Sequence, residues 1–120
     1  GGTAWRSRLE KPAWRMAGKT GTSQVYRITA EDRARGLKKG EDLPWHRRDH
    51  ALFTCFAPFD DPRYACAVLV EHGIGGSRTA GPKARDIMNA VMAKDPSSLP
   101  TVDPASLAAQ AAARAAAGEG

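Results

Sequence analysis

The sequence predicts an α/β (α+β) sandwich in which one helix packs across a small sheet. β-branched and aromatic residues between Thr22 and Thr29 suit the pleated surface of a strand. Two apolar runs, Leu52 to Phe59 and Tyr64 to Val70, flank a short turn and predict a β-hairpin. From Thr79 the apolar residues recur at helical spacing, so the last element of the sandwich is a helix.

Residues 3–13 are expected to form an extended segment, with Pro12 marking its end just before the first strand. Trp5 and Trp14 are expected to pack in the core, because large aromatic side chains are usually buried. After the strand, Thr29 to Gly36 predicts a short helix with Thr29 as its N-cap and Gly36 as its stop.

A Lys-Thr-Gly-Thr motif, Lys19 to Thr22, lies near the start of the first strand. Gly18 to Thr20 also resembles the end of a phosphate-binding P-loop. However, Ala13 stands where that loop needs a glycine, and a strand follows where it needs a helix. A Lys-Thr-Gly strand is one of three motifs of serine β-lactamases and penicillin-binding proteins, beside Ser-x-x-Lys and a Ser-Asp-Asn type triplet. Alone, the tripeptide is more typical of an ordinary solvated strand, so the surrounding sequence decides.

The second hairpin strand, Tyr64 to Val70, is apolar on both of its alternating faces, which predicts an interior strand covered on both sides. Cys55 and Cys66 lie on the two hairpin strands and are expected to point to the same face. A disulfide is geometrically conceivable. Two packed thiols are favoured, because bridges between neighbouring strands are commonly strained.

The loop from Glu71 to Arg78 is rich in glycine but lacks the final glycine of a dinucleotide-binding fingerprint, so it is interpreted as a flexible turn. The helix that follows begins near Pro82 and ends before Asp95-Pro96, with Pro100 further on. It is predicted to pack across the sheet through one apolar stripe, formed by Ile87, Met88, Val91 and Met92.

The chain is expected to divide into a folded part, residues 1–94, and a Pro-, Ser- and Ala-rich tail, residues 95–120. The tail is expected to be disordered, with at most a transient helix from Ala105 to Ala117. No apolar run is long enough to cross a membrane, and Gly1 to Ala4 lack the apolar region of a signal peptide. Because the chain begins with Gly1 and not with methionine, we expect it to be a piece of a longer protein.

Charge and histidine spacing argue against two other functions. The net charge of +5 and the pI of about 9.6 invite a nucleic-acid hypothesis. However, the basic residues of 31–49 alternate with acidic ones, so no nucleic-acid partner is expected. His46, His50 and His72 have no cysteine or carboxylate partners at ligand spacing, so no metal is expected, and no cofactor is expected either.

Four separated blocks carry a family resemblance: Met16 to Val25, Arg48 to Pro58, Ala67 to Glu71, and Ala80 to Met92. In this order they resemble the C-terminal part of the transpeptidase domain of the penicillin-binding protein 2 family, the class B penicillin-binding proteins of the elongation machinery. The resemblance covers about Gly1 to Asp95.

The resemblance implies the penicillin-binding/serine β-lactamase-like transpeptidase fold, of which this chain would supply a fragment. Three antiparallel strands are implied around Met16 to Ile28, Leu52 to Ala57 and Tyr64 to Val70, followed by the C-terminal helix.

The resemblance also implies the activity of the parent protein. It would be a serine-type D,D-transpeptidase that cross-links peptidoglycan stem peptides at D-Ala-D-Ala through an acyl-enzyme, and that β-lactams trap. Its implied place is the periplasmic face of the bacterial inner membrane, anchored by an N-terminal helix outside this chain. The implied partners are the N-terminal part of the same domain and other elongation-machinery proteins, with a role in cell shape.

Within that resemblance, the motif residues have implied roles. Lys19 would lie beside the serine, support proton transfer and attract the substrate carboxylate. Thr20 and Thr22 would offer hydroxyls to that carboxylate, and the N–H of Thr22 would form half of the oxyanion hole. Gly21 would let the substrate approach the strand closely.

None of the six serines of the chain has lysine three residues on or asparagine two residues on. The nucleophile is therefore expected to lie outside these residues, and the chain alone is expected to be inactive. Two other hypotheses stay open: a non-catalytic module that binds a peptide carboxylate, and a structural piece without activity.

Overall fold

The structure of the chain, a computed structural model, describes residues 2–99 and 103–118. An antiparallel sheet has the strand order β1-β2-β3. The strands are β1, Ala17–Ser23; β2, His50–Ala57; and β3, Tyr64–Val70. The helices are α1, Ala30–Ala34; α2, Gly81–Lys94; and α3, Pro104–Ala116. Short 3-10 turns occupy Trp5–Ser7, Pro12–Trp14, Gly40–Asp42, Trp45–Arg47 and Pro96–Ser98, and a π-helical turn occupies Gly76–Ala80. The predicted α/β (α+β) fold class is confirmed.

The core lies between one face of β2 and the helix α2. Its buried residues are Ala51, Phe53, Cys55 and Ala57 from β2, Ala80 just before α2, and Ala84, Met88 and Met92 from α2. Because α2 crosses both β2 and β3, the predicted packing of this helix on the sheet is confirmed. The predicted apolar stripe of α2 was too wide, because Ile87 is 47% exposed. One step along a helix turns a side chain by about 100°, so Ile87 points away from the face that buries Met88.

β1 is shorter than the predicted strand from Met16 to Ile28, because it ends at Ser23. The physical reason is its partner: Ser23 pairs with His50, the first residue of β2, so the ladder has no further partner strand. The residues from Gln24 to Ile28 therefore do not continue the strand despite their strand propensity. The next backbone N–H to be bonded, that of Val25, is held by a carboxylate oxygen of Asp49 at 3.0 Å.

The predicted short helix after Thr29 is confirmed as α1. The Thr29 hydroxyl accepts a hydrogen bond from the Asp32 N–H, and the Asp32 carboxylate accepts one from the Thr29 N–H. This reciprocal pair satisfies donors that a helix start would otherwise leave free. Gly36 then stops the helix in a left-handed conformation, at φ 92°.

The predicted hairpin is confirmed, with Cys55 directly opposite Cys66 in the β2–β3 ladder. Residues opposite each other in such a ladder share a face, as predicted for this pair. Both cysteines are free thiols. Burial, and then the neighbouring Cys66, raise the pKa of the Cys55 thiol to about 11, which keeps it protonated at neutral pH.

β3 differs from its prediction as an interior strand covered on both sides. It lies at the edge of the sheet, and its residues alternate between half-buried and exposed. Tyr64, Cys66, Val68 and Val70 pack against the core, whereas Leu69 is 55% exposed. The reason is that α2 covers only one face of the sheet within the described residues.

The N-terminal segment is not extended as predicted, since two 3-10 turns occupy Trp5–Ser7 and Pro12–Trp14. Trp5 is 54% exposed, so its assignment to the core is wrong. Its ring lies against the Arg8 guanidinium at 4.4 Å, where a cation–π contact forms on the surface. Trp14 is half-buried and packs against the core, as predicted.

α2 ends where Asp95 takes a left-handed conformation, at φ 42°. The Asp95 carboxylate accepts hydrogen bonds from the Tyr64 hydroxyl and the Arg63 guanidinium, and these lower its pKa. These bonds join the end of α2 to the start of β3, and the predicted end of the folded part at this point stays a prediction. Pro100 lies outside the described residues.

The tail contains α3, with Asp103 as its N-cap, where the sequence predicts only a transient helix. Every residue of 103–118 is exposed, so α3 depends on the intrinsic propensity of alanine and not on packing. Within the described parts of the chain, no helix is long and apolar enough to cross a membrane.

Met88→Ala is expected to lower the free energy of unfolding by about 2–5 kcal/mol, because it leaves a cavity at a fully buried position. Ile87→Ala is the matched control on the same helix turn and is expected to change it by less than about 0.5 kcal/mol. Urea unfolding followed by circular dichroism compares the two. Equal losses for both variants would contradict the packing of α2 described here.

Candidate active-site strand

The Lys-Thr-Gly-Thr motif occupies the middle of β1. Lys19, Thr20, Gly21 and Thr22 pair with Thr54, Phe53, Leu52 and Ala51, in that order. β2 is the only strand that pairs with β1 among the described residues, so the other edge of β1 is open. The motif therefore lies on an edge strand, with the backbone of that edge available to a ligand.

Strand alternation separates the motif side chains. Thr20 and Thr22 lie on the same face as the buried residues of β2, whereas Lys19 and Gly21 lie on the opposite face. The ammonium group and the two hydroxyls thus do not form one flat surface. They meet only along the open edge of β1, so a ligand that uses all of them must follow that edge.

Lys19 is exposed, and its ammonium group donates a hydrogen bond to the carbonyl of Thr20 at 2.8 Å. Among residues 2–99 and 103–118, no carboxylate lies close enough to Lys19 to form an ion pair. An unpaired cation next to an open strand edge can attract an anion such as a peptide carboxylate.

Thr20 is half-buried, and its hydroxyl lies 3.1 Å from the hydroxyl of Thr3. This contact places the N-terminal segment against the motif strand. Sequence reasoning missed Thr3, because nothing in its neighbourhood marks it. Thr22, by contrast, is exposed near the end of β1.

Two glycines, one in the motif and one in the loop before α2, allow close contacts of the backbone at the motif. A Cβ at Gly21 would meet only the Leu52 Cβ, at 3.3 Å. Gly76 is more constrained: a Cβ there would overlap the carbonyl oxygen of Leu52 and lie 3.0 Å from that of Gly21. Gly76 therefore forms a floor beneath the motif. The interpretation of this loop as merely a flexible turn missed that contact.

The loop from β3 to α2, residues 71–80, is held by specific bonds. His72 and Ile74 both adopt left-handed backbone conformations, at φ 53° and 69°. The Thr79 hydroxyl bonds to the carbonyls of Gly73 and Gly75, at 3.0 and 2.8 Å. These bonds fix the course of the chain into the close contact at Gly76.

Two of the three histidines, His50 and His72, form an aromatic cluster with Trp45 beyond the end of the motif. The His50 and His72 ring centroids are 4.6 Å apart, and Trp45 lies 4.2 Å from His72. The Nδ1 atoms of His50 and His72 bond to backbone groups of His72 and Arg48, respectively. Across the described residues, no group of three or more His, Cys, Asp or Glu side chains is arranged to hold a metal ion.

The serines do not form a nucleophile–base pair in the structure. Ser7 is fully buried, and its hydroxyl has no hydrogen-bond partner. Ser97 and Ser98 bond around Asp95 at the end of α2. In the described part of the chain no serine hydroxyl bonds to a lysine or a histidine, so the motif has no adjacent nucleophile within it.

Residues 1–92 match the penicillin binding protein transpeptidase domain, and the chain therefore belongs to this family. Among curated relatives, it is 36% identical over 110 residues to the peptidoglycan D,D-transpeptidase MrdA of Escherichia coli K12. That alignment covers 91% of this chain and 16% of the relative. It is 40% identical over 78 residues to the Haemophilus influenzae MrdA, covering 63% of this chain and 11% of that protein.

Among solved structures, the chain resembles one from the complex between penicillin-binding protein 2 and MreC of Helicobacter pylori. The TM-score is 0.54 at 33% identity, over 79% of this chain and 14% of that one. The predicted resemblance to penicillin-binding protein 2 is thereby confirmed. The chain spans only a small part of the length of each of these relatives.

Gly76→Ala is expected to lower the free energy of unfolding by about 1–3 kcal/mol, because its Cβ meets backbone oxygens that move only with β1 and β2. Gly75→Ala is the matched control: its Cβ would meet nothing within 4 Å, and its φ is −136°. Thermal and urea unfolding of both variants measure the difference. A Gly76→Ala variant as stable as Gly75→Ala would show that the floor contact does not exist.

Proposed function

We propose that this chain forms one wall of the active site of a peptidoglycan D,D-transpeptidase whose nucleophilic serine lies outside residues 1–120. The observation that carries the proposal is the Lys-Thr-Gly-Thr motif on an open strand edge, with the Lys19 cation unpaired among the described residues. Membership of the transpeptidase family and similarity to peptidoglycan D,D-transpeptidases support it.

In the proposed reaction the serine oxygen attacks the carbonyl carbon of a D-Ala-D-Ala peptide bond. The bond breaks, the terminal D-alanine leaves with the proton from the serine, and an acyl-enzyme remains. An amine of a second stem peptide then attacks the ester and releases the serine. A β-lactam acylates the same oxygen by opening its ring, and because the leaving amine stays attached, the enzyme is trapped.

Each motif residue has a role in this proposal, and Lys19 and Thr22 have two. Lys19 attracts the terminal carboxylate of the substrate and supports proton transfer from the serine. Thr20 and Thr22 donate hydroxyl hydrogen bonds to that carboxylate, and Gly21 keeps the strand edge clear. The Thr22 N–H donates to the carbonyl oxygen as negative charge develops on it. Loss of one such donor typically costs two to three orders of magnitude in rate.

The open edge suits a substrate of this kind. An extended peptide laid along an edge strand bonds to the backbone, while neighbouring side chains select its ends. Since Lys19 and the two threonines lie on opposite faces and meet only at the edge, a bound peptide end can contact both sets.

The proposal extends to the parent protein. It would act at the periplasmic face of the inner membrane, anchored by a helix outside this chain, and contribute to cell shape. The remainder of the transpeptidase domain would pack beside β3, which the described residues leave at an edge. Elongation-machinery proteins are the proposed partners, since the Helicobacter pylori relative was solved in complex with MreC. The proposed mechanism uses no cofactor.

The chain alone is expected to form no covalent adduct with a fluorescent penicillin, because it lacks a Ser-x-x-Lys motif. A longer protein that joins this chain to a segment with that motif is expected to be labelled stoichiometrically. In that protein Lys19→Ala is expected to slow labelling about a hundredfold. Lys83→Ala, an equal loss of charge on exposed α2, is the matched control. Stoichiometric labelling of the chain alone, or equal rates for both variants, would overturn the proposal.

The second candidate, a non-catalytic module that captures a peptide carboxylate, is favoured by the presence of the motif without a nucleophile. It predicts saturable binding of a D-Ala-D-Ala peptide to the chain alone, measured by calorimetry. Thr20→Val keeps the side-chain shape but removes the hydroxyl, and is expected to abolish this binding. If the unmodified chain shows no saturable binding, the module hypothesis fails while the transpeptidase proposal stands.

A further inference from the structure

The tripeptide Arg48-Asp49-His50, here called the β2 clip, stands at the point where the ladders on both sides of β2 end. The last pair of the β1–β2 ladder is Ser23 with His50, and the last pair of the β2–β3 ladder is Val70 with Ala51. Beyond these pairs, the chain segments that follow β1 and β3 have no further strand residues of β2 to bond to. The clip supplies partners for these segments.

On the β1 side, a carboxylate oxygen of Asp49 accepts a hydrogen bond from the N–H of Val25, at 3.0 Å. Val25 lies three residues beyond Thr22, so this bond sets the direction in which the chain leaves the motif. Asp49 is half-buried and forms no ion pair with a described cation. Its carboxylate is therefore available to make a charge-assisted bond to the backbone.

On the β3 side, three more bonds hold the loop of residues 71–80. The Asp49 carbonyl accepts from the Ile74 N–H at 2.9 Å, and His50 Nδ1 accepts from the His72 N–H at 2.9 Å. His72 Nδ1 lies 2.8 Å from the Arg48 carbonyl, which can only accept, so this nitrogen carries a hydrogen. His72 and Ile74, the loop residues held by these bonds, are the two with left-handed backbone conformations.

The two halves of the clip converge on the motif. The β1 half fixes the chain directly after Thr22. The β3 half fixes the loop that leads into Gly76, whose backbone lies against the carbonyl of Gly21. A single tripeptide thus restrains the motif strand from its end and from beneath.

We propose that Asp49 is a positioning residue for the transpeptidase reaction, which holds the Thr22 N–H where it can donate to the developing oxyanion. This inference rests on the proposed function. Asp49 touches no reacting atom and acts through the backbone of residues 22–25. Small displacements of a group that stabilises a transition state cost rate more than they cost binding.

The test uses the longer transpeptidase that contains this chain and reacts with fluorescent penicillin. Stopped-flow labelling separates the dissociation constant of the non-covalent complex from the first-order acylation rate. Asp49→Ala removes the acceptor and is expected to slow acylation about ten- to a hundredfold with little change in the dissociation constant. Asp49→Asn keeps an acceptor oxygen but loses the charge, so it is expected to be slowed by no more than about threefold.

Asp61→Ala, a loss of the same charge from the exposed β2–β3 turn, is the matched control and is expected to leave acylation unchanged. The melting temperature of each variant is measured in parallel. If Asp49→Ala does not fold, Asp49→Glu decides, because it keeps the charge and moves the acceptor by one methylene. It is expected to fold and to acylate more slowly than Asp49→Asn.

Asp49→Ala and Asp49→Glu variants that acylate at the unmodified rate while folded would overturn the positioning role. So would a loss that Asp49→Asn shares in full, because that loss would follow charge and not the acceptor. If the unmodified longer protein is not labelled at all, the proposed function fails first. That outcome is distinct, because the Asp49 comparison begins from a labelled protein.

Discussion

The rest of the structure depends on β2, the strand that pairs with both others and buries one entire face. Phe53 is completely buried at its centre, and α2 closes over it through Met88 and Met92. Because β1 and β3 pair only with β2 among the described residues, their register and their ends are both set by it. The packing of β2 against α2 therefore positions the motif strand, although none of the motif side chains is fully buried in that core.

The site follows from the position of β1 at the edge. A central strand bonds its backbone groups to two neighbouring strands, whereas β1 has one row of backbone groups with no neighbouring strand among the described residues. Alternation then distributes the cation and the hydroxyls to opposite sides of that row. The close contact at Gly76 keeps the edge in place without a covering strand, because two backbones approach each other more closely than side chains would allow.

Elements whose own sequence contains their start and stop could be predicted. Thr29 and Gly36 bound α1, the run before Asp95 bounds α2, and the apolar runs define the hairpin. Features that depend on a partner distant in sequence could not. The end of β1 is set by where β2 begins, and the contacts of Gly76 and Asp49 cross between separate segments. The motif itself was visible locally, but the register was needed to show that Thr20 and Thr22, and not Lys19, share the face of the buried β2 residues.

The two outer strands of the sheet differ in polarity. β1 carries the polar side chains of Lys19, Thr20 and Thr22. In contrast, β3 exposes the apolar side chain of Leu69 on the face away from α2. Within residues 2–99 and 103–118 neither outer edge pairs with a further strand, but the β3 side also exposes an apolar side chain whose covering would be favourable. The two edges therefore suit different surroundings: an apolar element can cover the β3 side and remove Leu69 from water, whereas the polar β1 side can remain in water.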